Sequence, residues 1–224
     1  MDADRLNELR AAYRRFLRLS DAALDHLPPD EPDESLRLVD WLGPLRANDA
    51  GARCRLVLDR GNLVKDRRWR LDKVAPHWVA HLAAHVTGIA LTTDVISKAG
   101  TAMLAPLDMP TAQQHWAQLL DSWREGLRKP LPMAIRSAQA WLAKKTGSDD
   151  SAAYEAARAA YEDSEKARTG RSAARGERDS DAYAARAFED FEALWSGGEF
   201  AQRVQALLLP LADALGKPPK EQAE

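Results

Sequence analysis

Residues 116–141 read WAQLLDSWREGLRKPLPMAIRSAQAW. Trp116, Leu119, Leu120, Trp123 and Leu127 recur at spacings of three and four, the period of an amphipathic helix. The period breaks after Gly126, where Pro130 and Pro132 prevent the helix from continuing. A second amphipathic stretch follows and carries Ile135, Ala138 and Leu142. Large aromatics on both sides of a proline joint predict a packing centre, with Trp116, Trp123 and Trp141 turned inward. Arg124, Arg128 and Lys129 are then left facing solvent or a neighbouring subunit.

Around this joint the chain has 224 residues, enough for one substantial core or two small ones. Its 32 basic and 34 acidic residues nearly cancel, so binding to nucleic acid or membrane would have to be local. The single cysteine, Cys54, allows no internal disulfide and no cysteine metal cluster. The opening MDADRLNELR is charged and lacks an apolar leader, and no apolar run approaches the roughly 18 residues of a membrane span. These features predict a cytoplasmic protein with no membrane contact.

Upstream, residues 3–27 form an amphipathic helical pattern through Leu6, Leu9, Tyr13, Phe16, Leu24 and Leu27, which Pro28 and Pro29 end. An acidic linker completes residues 1–35. Residues 36–45 and 52–59 are β-rich and joined by RANDAG, a hairpin composition. In the second run Cys54, Leu56 and Leu58 face one way and Arg53, Arg55 and Val57 the other, the alternation of a half-buried strand. A helix is expected over 72–86, with Val74, Trp78, Leu82 and Val86 as its stripe, and a second β pair over 90–107 around Lys98-Ala99-Gly100. Downstream, 151–168 reads as helix and 169–180 as a mobile basic loop carrying Arg171, Arg175 and Arg178. Ser180 or Asp181 can cap a helix with Tyr183, Ala187, Phe188, Phe191 and Leu194, which Gly197-Gly198 breaks. A last helix carries Phe200, Val204, Leu207 and Leu208, and 216–224 is a frayed tail. There is no internal repeat. Strands cluster before residue 107 and helices after it, so the fold class is α+β with a helical C-terminal half.

His77, His81 and His85 stand four apart on one helix, a spacing that can share a metal. The zinc-helix pattern wants a glutamate after the first histidine, and here the sequence is HWVAH, which favours packed or partly exposed histidines. Metal-dependent nucleases of the restriction type carry an aspartate at one strand end and (D/E)xK on the next strand. No lysine has an acidic residue two positions before it: two before Lys98, for example, stands Ile96. Asp40 and Asp59 lie on expected strands without that partner. No GxxxxGK[ST] and no GxSxG occur. What remains are basic clusters: Arg67, Arg68, Arg70 and Lys73 around Trp69, and Arg124, Arg128 and Lys129 at the joint. Such groups can hold phosphate and stack a base, although Asp66 and Asp72 partly neutralise the first. No catalytic, cofactor or metal residue is assigned.

The ordered blocks HWVAHLAAHVTG (77–88), WREGLRKPLPMAIRSAQAWL (123–142), GERDSDAYAARAF (176–188) and GEFAQRVQALLLPLADAL (198–215) resemble the C-terminal domain of the exodeoxyribonuclease V gamma subunit, the RecC family. The resemblance runs from about Leu36 to Leu215, which defines the expected domain as 36–215. It implies a degenerate restriction-endonuclease-like core, a small and mainly antiparallel sheet with many helices, whose active site is lost. It also implies RecB-like and RecD-like partners in the RecBCD helicase-nuclease. That machine processes double-stranded DNA ends in recombinational repair, with ATP and Mg²⁺ expected only in the partner subunits. The family's helicase-like domains have no counterpart among these residues, so Chi reading and strand channels do not transfer. Two rival expectations stand beside this one: an active nuclease with an atypical metal site at Asp40 and Asp59, and a free-standing helical adaptor.

Overall fold

The β-rich residues between 45 and 104 pair into one four-stranded sheet in the computed structural model, which describes residues 42, 45–145, 150–162 and 176–218. Strands β1 (Leu45–Ala47) and β2 (Arg53–Leu58) are antiparallel. The chain then forms a two-stranded hairpin, β3 (Val64–Lys65) and β4 (Arg68–Trp69), and enters helix α1 (Leu71–Val86). It returns as β5 (Thr92–Ile96), parallel to β2, and turns back antiparallel as β6 (Thr101–Leu104). The sheet order is β1-β2-β5-β6. The parallel β2–β5 pair requires a crossover, and α1 supplies it. The sheet is thus mixed, with two antiparallel pairings and one parallel.

The α1 helix and the β5–β6 pair form where the sequence places them. Gly100 makes the turn between β5 and β6 at φ +93°, and a Cβ there would lie 2.7 Å from Val64 Cγ2, so both conformation and space call for glycine. The alternation read in β2 is present, and the structure decides which of its two faces is covered. Val57 and Arg55 turn toward the covered side, while Leu56 and Leu58 are exposed. Register decides this: Val57 is opposite the buried Val95, which is opposite the buried Ala102. The hairpin β3–β4 was not foreseen, because two-residue strands leave no periodicity to read. The expected helix 3–27 and most of the expected strand 36–45 lie outside the described residues.

Two of the three α1 histidines are buried through specific bonds. His81 Nε2 lies 3.1 Å from the Ala105 carbonyl and Nδ1 lies 3.0 Å from Thr93 Oγ1. A carbonyl only accepts, so Nε2 carries the proton and Nδ1 accepts from the threonine hydroxyl. His85 Nδ1 donates to the His81 carbonyl at 2.8 Å, and its Nε2 faces the Leu91 N–H at 3.5 Å. The ring of Trp78 stacks on His81. The helix is thereby fastened to β5 and to the segment just after β6 by neutral imidazole.

Contacts divide the chain into two units, Met1–Gln118 with Ala214–Glu224, and Leu119–Asp213. Helix α2 (Met109–Gly126) runs from the first into the second. It starts well before Trp116, at an Asp108 whose Oδ1 accepts from the Thr111 N–H at 2.8 Å. Of the aromatics expected to turn inward, Trp116 and Trp141 are buried, but Trp123 is 44% exposed.

In the second unit the proline joint leads to α3 (Ile135–Leu142), followed by α4 (Ser151–Tyr161), α5 (Glu177–Ser180), α6 (Ala182–Ala187), α7 (Phe191–Trp195), a 3-10 turn (Ser196–Gly198) and α8 (Glu199–Leu207). Helix α9 (Leu209–Leu215) ends the described helices. The helix expected after a Ser180 or Asp181 cap is two short helices instead, α6 and α7. Asp181 caps α6 through the Tyr183 and Ala184 N–H groups, and Asp190 caps α7 through Ala193 N–H. The Tyr161 hydroxyl donates toward the carbonyls of Ala184 and Phe188, fixing the break between them. Gly176–Ser180, expected as loop, is ordered by Glu177. Its buried carboxylate accepts from Arg136 N–H at 3.0 Å, Ser137 N–H at 2.8 Å and Ser137 Oγ at 2.9 Å. It therefore caps α3, which has no capping side chain of its own. Residues 163–175, with Arg171 and Arg175, lie outside the described residues.

Burial lowers the pKa of His81 to about 4, and the neighbouring His85 adds to this. Burial lowers His77 as well. The unfolded chain takes up these protons near pH 6.5 while the folded chain resists until lower pH. Stability is therefore fully present above about pH 6.5 and falls as pH drops toward 4. Urea denaturation should show His81 contributing about 3 kcal/mol of loss over that window, absent from the pH dependence of a His81→Gln variant.

Candidate functional site

The first basic cluster sits on the β3–β4 hairpin. Its turn places Asp66 and Arg67 at φ 52° and 56°, a mirror-image two-residue turn that aligns the strands and pushes both side chains outward. Arg67 and Arg68 are exposed, and among the described residues neither forms an ion pair. Arg70 is held by Asp72 at 2.8 Å, and Lys73 is half-buried on the first turn of α1. Trp69, the aromatic within the cluster, donates its indole N–H to the Gly216 carbonyl at 3.0 Å. The four cations thus differ in freedom: Arg67 and Arg68 are presented, while Arg70 and Lys73 belong to the framework.

The second cluster, at the proline joint, is mostly consumed by ion pairing. Lys129 Nζ lies 2.8 Å from Glu125 and 3.5 Å from Glu199, and Arg203 Nη2 lies 2.6 Å from Glu125 and 2.5 Å from Glu199. These four groups close a ring joining the end of α2, the joint and α8. Hydrogen bonds from Arg203 and then Lys129 hold the Glu125 carboxyl down at about 2. Arg124 pairs with Asp121 at 3.6 Å. Among the described residues only Arg128 of this cluster is exposed without an ion pair. The exposed Trp123 and Leu127 lie on the same helical stretch.

A third location is the end of β2. Asp59 follows that strand, and its N–H donates to the Ile96 carbonyl at 2.8 Å. Its Oδ1 accepts from the Gly61 N–H at 2.6 Å, and Oδ2 lies 3.9 Å from His77 Nε2. On the adjacent strand Ile96 is opposite Leu58, so Asp59 is level with Ser97, and no acidic residue stands beside it there. Asp94, the acidic residue within β5, instead accepts from Cys54 Sγ at 3.3 Å. Among the described residues no group of three or more His, Cys, Asp or Glu is arranged to hold a metal ion. Asp40 lies outside the described residues. The histidine row is not a ligand set either: the free lone pair of His81 is taken by Thr93, and its ring is enclosed by Trp78 and His85.

Of the cluster read from the sequence, Arg67 and Arg68 lie on the hairpin, and Arg70 and Lys73 at the start of α1. Sequence reasoning missed the Glu125–Lys129–Glu199–Arg203 ring. The i, i+4 spacing of Glu125 with Lys129, and of Glu199 with Arg203, was a readable signal for each half. The joining of the halves was not local.

None of the described helices is long and apolar enough to cross a membrane. No curated protein matches the chain. A family profile described as the RecC C-terminal domain matches residues 3–146, which contain the whole four-stranded sheet, α1, α2, the joint and α3. The chain belongs to the RecC C-terminal domain family.

Proposed function

We propose that this chain is a non-catalytic assembly and DNA-handling domain of a RecC-like subunit. In this reading it works in the cytoplasm within an exodeoxyribonuclease V that processes double-stranded ends for recombinational repair. Its sheet, with the β2–α1–β5 crossover, is a degenerate restriction-endonuclease-like core. RecB-like and RecD-like subunits are its partners and carry the ATP and Mg²⁺ chemistry. The observation that supports a non-catalytic role most directly is the strand end: the Asp59 carboxylate is tied to Gly61 N–H and stands level with Ser97, not with a second carboxylate. A divalent ion clamping a scissile phosphate needs converging anionic ligands, and one engaged aspartate does not supply them.

Within this reading the contact surface narrows. Arg67 and Arg68 on the hairpin, and Arg128 at the joint, are the cations presented to phosphate or to an acidic partner surface. Arg70, Arg124 and Lys129 are engaged in ion pairs, and Lys73 is half-buried. The position of Asp59, beside His77 at a strand end, is what sustains the rival nuclease reading.

The pure chain, incubated with linear duplex DNA and Mg²⁺, should leave the DNA intact. Cleavage abolished by Asp59→Ala would overturn the proposal in favour of an atypical nuclease. In the assembled complex, changing Arg67 and Arg68 together to Ala should weaken binding to duplex ends and lower the salt-dependence slope by about 2, one unit per phosphate contact. An unchanged slope and affinity would remove the hairpin from the contact surface.

A further inference from the structure

The β3–β4 hairpin presents its cations at a cost in stability. Asp66 and Arg67 hold φ 52° and 56°, the left-handed region that favours glycine. Aspartate tolerates that conformation, but the second place of a mirror-image turn ordinarily goes to glycine, and here it holds an arginine. The register sets Lys65 directly opposite Arg68, two exposed like charges about 5 Å apart at Cβ. Val64 and Trp69 face the other way: Val64 is buried, and a Cβ on Gly100 would lie 3.8 Å from Trp69 Cζ3. Two further segments are tied to this base. The Ala99 carbonyl accepts from the Val64 N–H at 3.0 Å, next to the exposed Lys98. The Gly216 carbonyl accepts from the Trp69 indole at 3.0 Å, next to the exposed Lys217. Residues 62–69, 97–100 and 216–217 thus join five cationic side chains, Lys65, Arg67, Arg68, Lys98 and Lys217, against the single acid Asp66. Among the described residues none of these five forms an ion pair.

We propose that this surface grips the sugar–phosphate backbone of duplex DNA without reading its bases. The inference rests on the DNA-handling reading and extends the contact from Arg67 and Arg68 to Lys65, Lys98 and Lys217. The chain as a whole is nearly neutral, so a polyanion is held only where cations are gathered and left unpaired. A flexible single strand is held largely by stacking its bases on aromatic rings. The one aromatic of this hairpin is turned under it, with its N–H committed to Gly216. A duplex keeps its bases stacked inside and offers regularly spaced phosphates, which lysine and arginine meet without sequence preference. A phosphate seated between Lys65 and Arg68 also offsets the repulsion that the register imposes on them. The strained turn holds Arg67 at the tip of the same ridge.

The test is binding of the full chain to duplex DNA of unrelated sequences, measured against salt. Changing Lys98 and Lys217 together to Gln, with Arg67 and Arg68 left in place, should lower the salt-dependence slope by about 2 and weaken every duplex equally. Arg67→Gly should raise the melting temperature by about 4 °C while weakening duplex binding, and Arg67→Lys should keep most of the binding. An unchanged slope in the Lys98 and Lys217 double variant would overturn the proposal, even where Arg67 and Arg68 alone still contribute as the DNA-handling reading requires. Tighter binding of a single strand than of a duplex of equal length would overturn it as well, as would an Arg67→Gly chain that binds duplex as tightly as the original. So would a double variant that binds duplex normally but no longer retains a co-expressed RecB-like subunit, the mark of an acidic protein surface as the occupant.

Discussion

His81 is the constraint on which the sheet-containing unit depends. One neutral ring spans α1, β5 and the segment after β6, accepting from Thr93 and donating to the Ala105 carbonyl. Accepting at Nδ1 requires the uncharged ring, and burial enforces that form by lowering the pKa to about 4. The bond to Thr93 places α1 over the face that holds Val95 and Ala102, both fully buried. With that face taken, Leu56 and Leu58 must turn to the other. A histidine row that suggested a metal from spacing alone is therefore part of the packing that sets the orientation of the sheet.

The second unit has its own long-range fixture in Glu177. Helix α3 follows two prolines and begins at Ala134, a residue with no side chain to cap it. The missing acceptor comes from forty residues downstream, where the Glu177 carboxylate takes both the Arg136 and Ser137 N–H groups. A charged acceptor at a helix N-terminus satisfies orphan donors and complements the helix dipole. Two of the sequence blocks that resemble the family, 123–142 and 176–188, thus hold the two ends of one structural tie.

Features encoded within a few residues were legible in the sequence. The α1 stripe, the Lys98-Ala99-Gly100 turn, the Asp181 cap and the Gly197-Gly198 break all formed where local chemistry placed them. What was not legible depended on distant partners. Alternation identified β2 but could not say which face would be covered, since apolar residues occur on both. Trp123 shares a helical stripe with Trp116, yet the helix passes from one unit to the other between them, and Trp123 is exposed. The basic clusters were visible as compositions, but their availability was not. Folding leaves Arg67 and Arg68 presented and commits Lys129 to a ring with Glu125 and Glu199.

Membership of the RecC C-terminal domain family and the state of the β2 strand end support the same account: a domain whose sheet is kept for architecture and contacts, not for metal chemistry. The most direct measurement is made in the assembled helicase-nuclease, with Asp59 changed to Asn. The account predicts nuclease and unwinding rates on linear duplex DNA equal to those of the unaltered complex. A nuclease rate reduced on the order of tenfold or more, about 1.4 kcal/mol in the barrier, with assembly and unwinding intact, would contradict it.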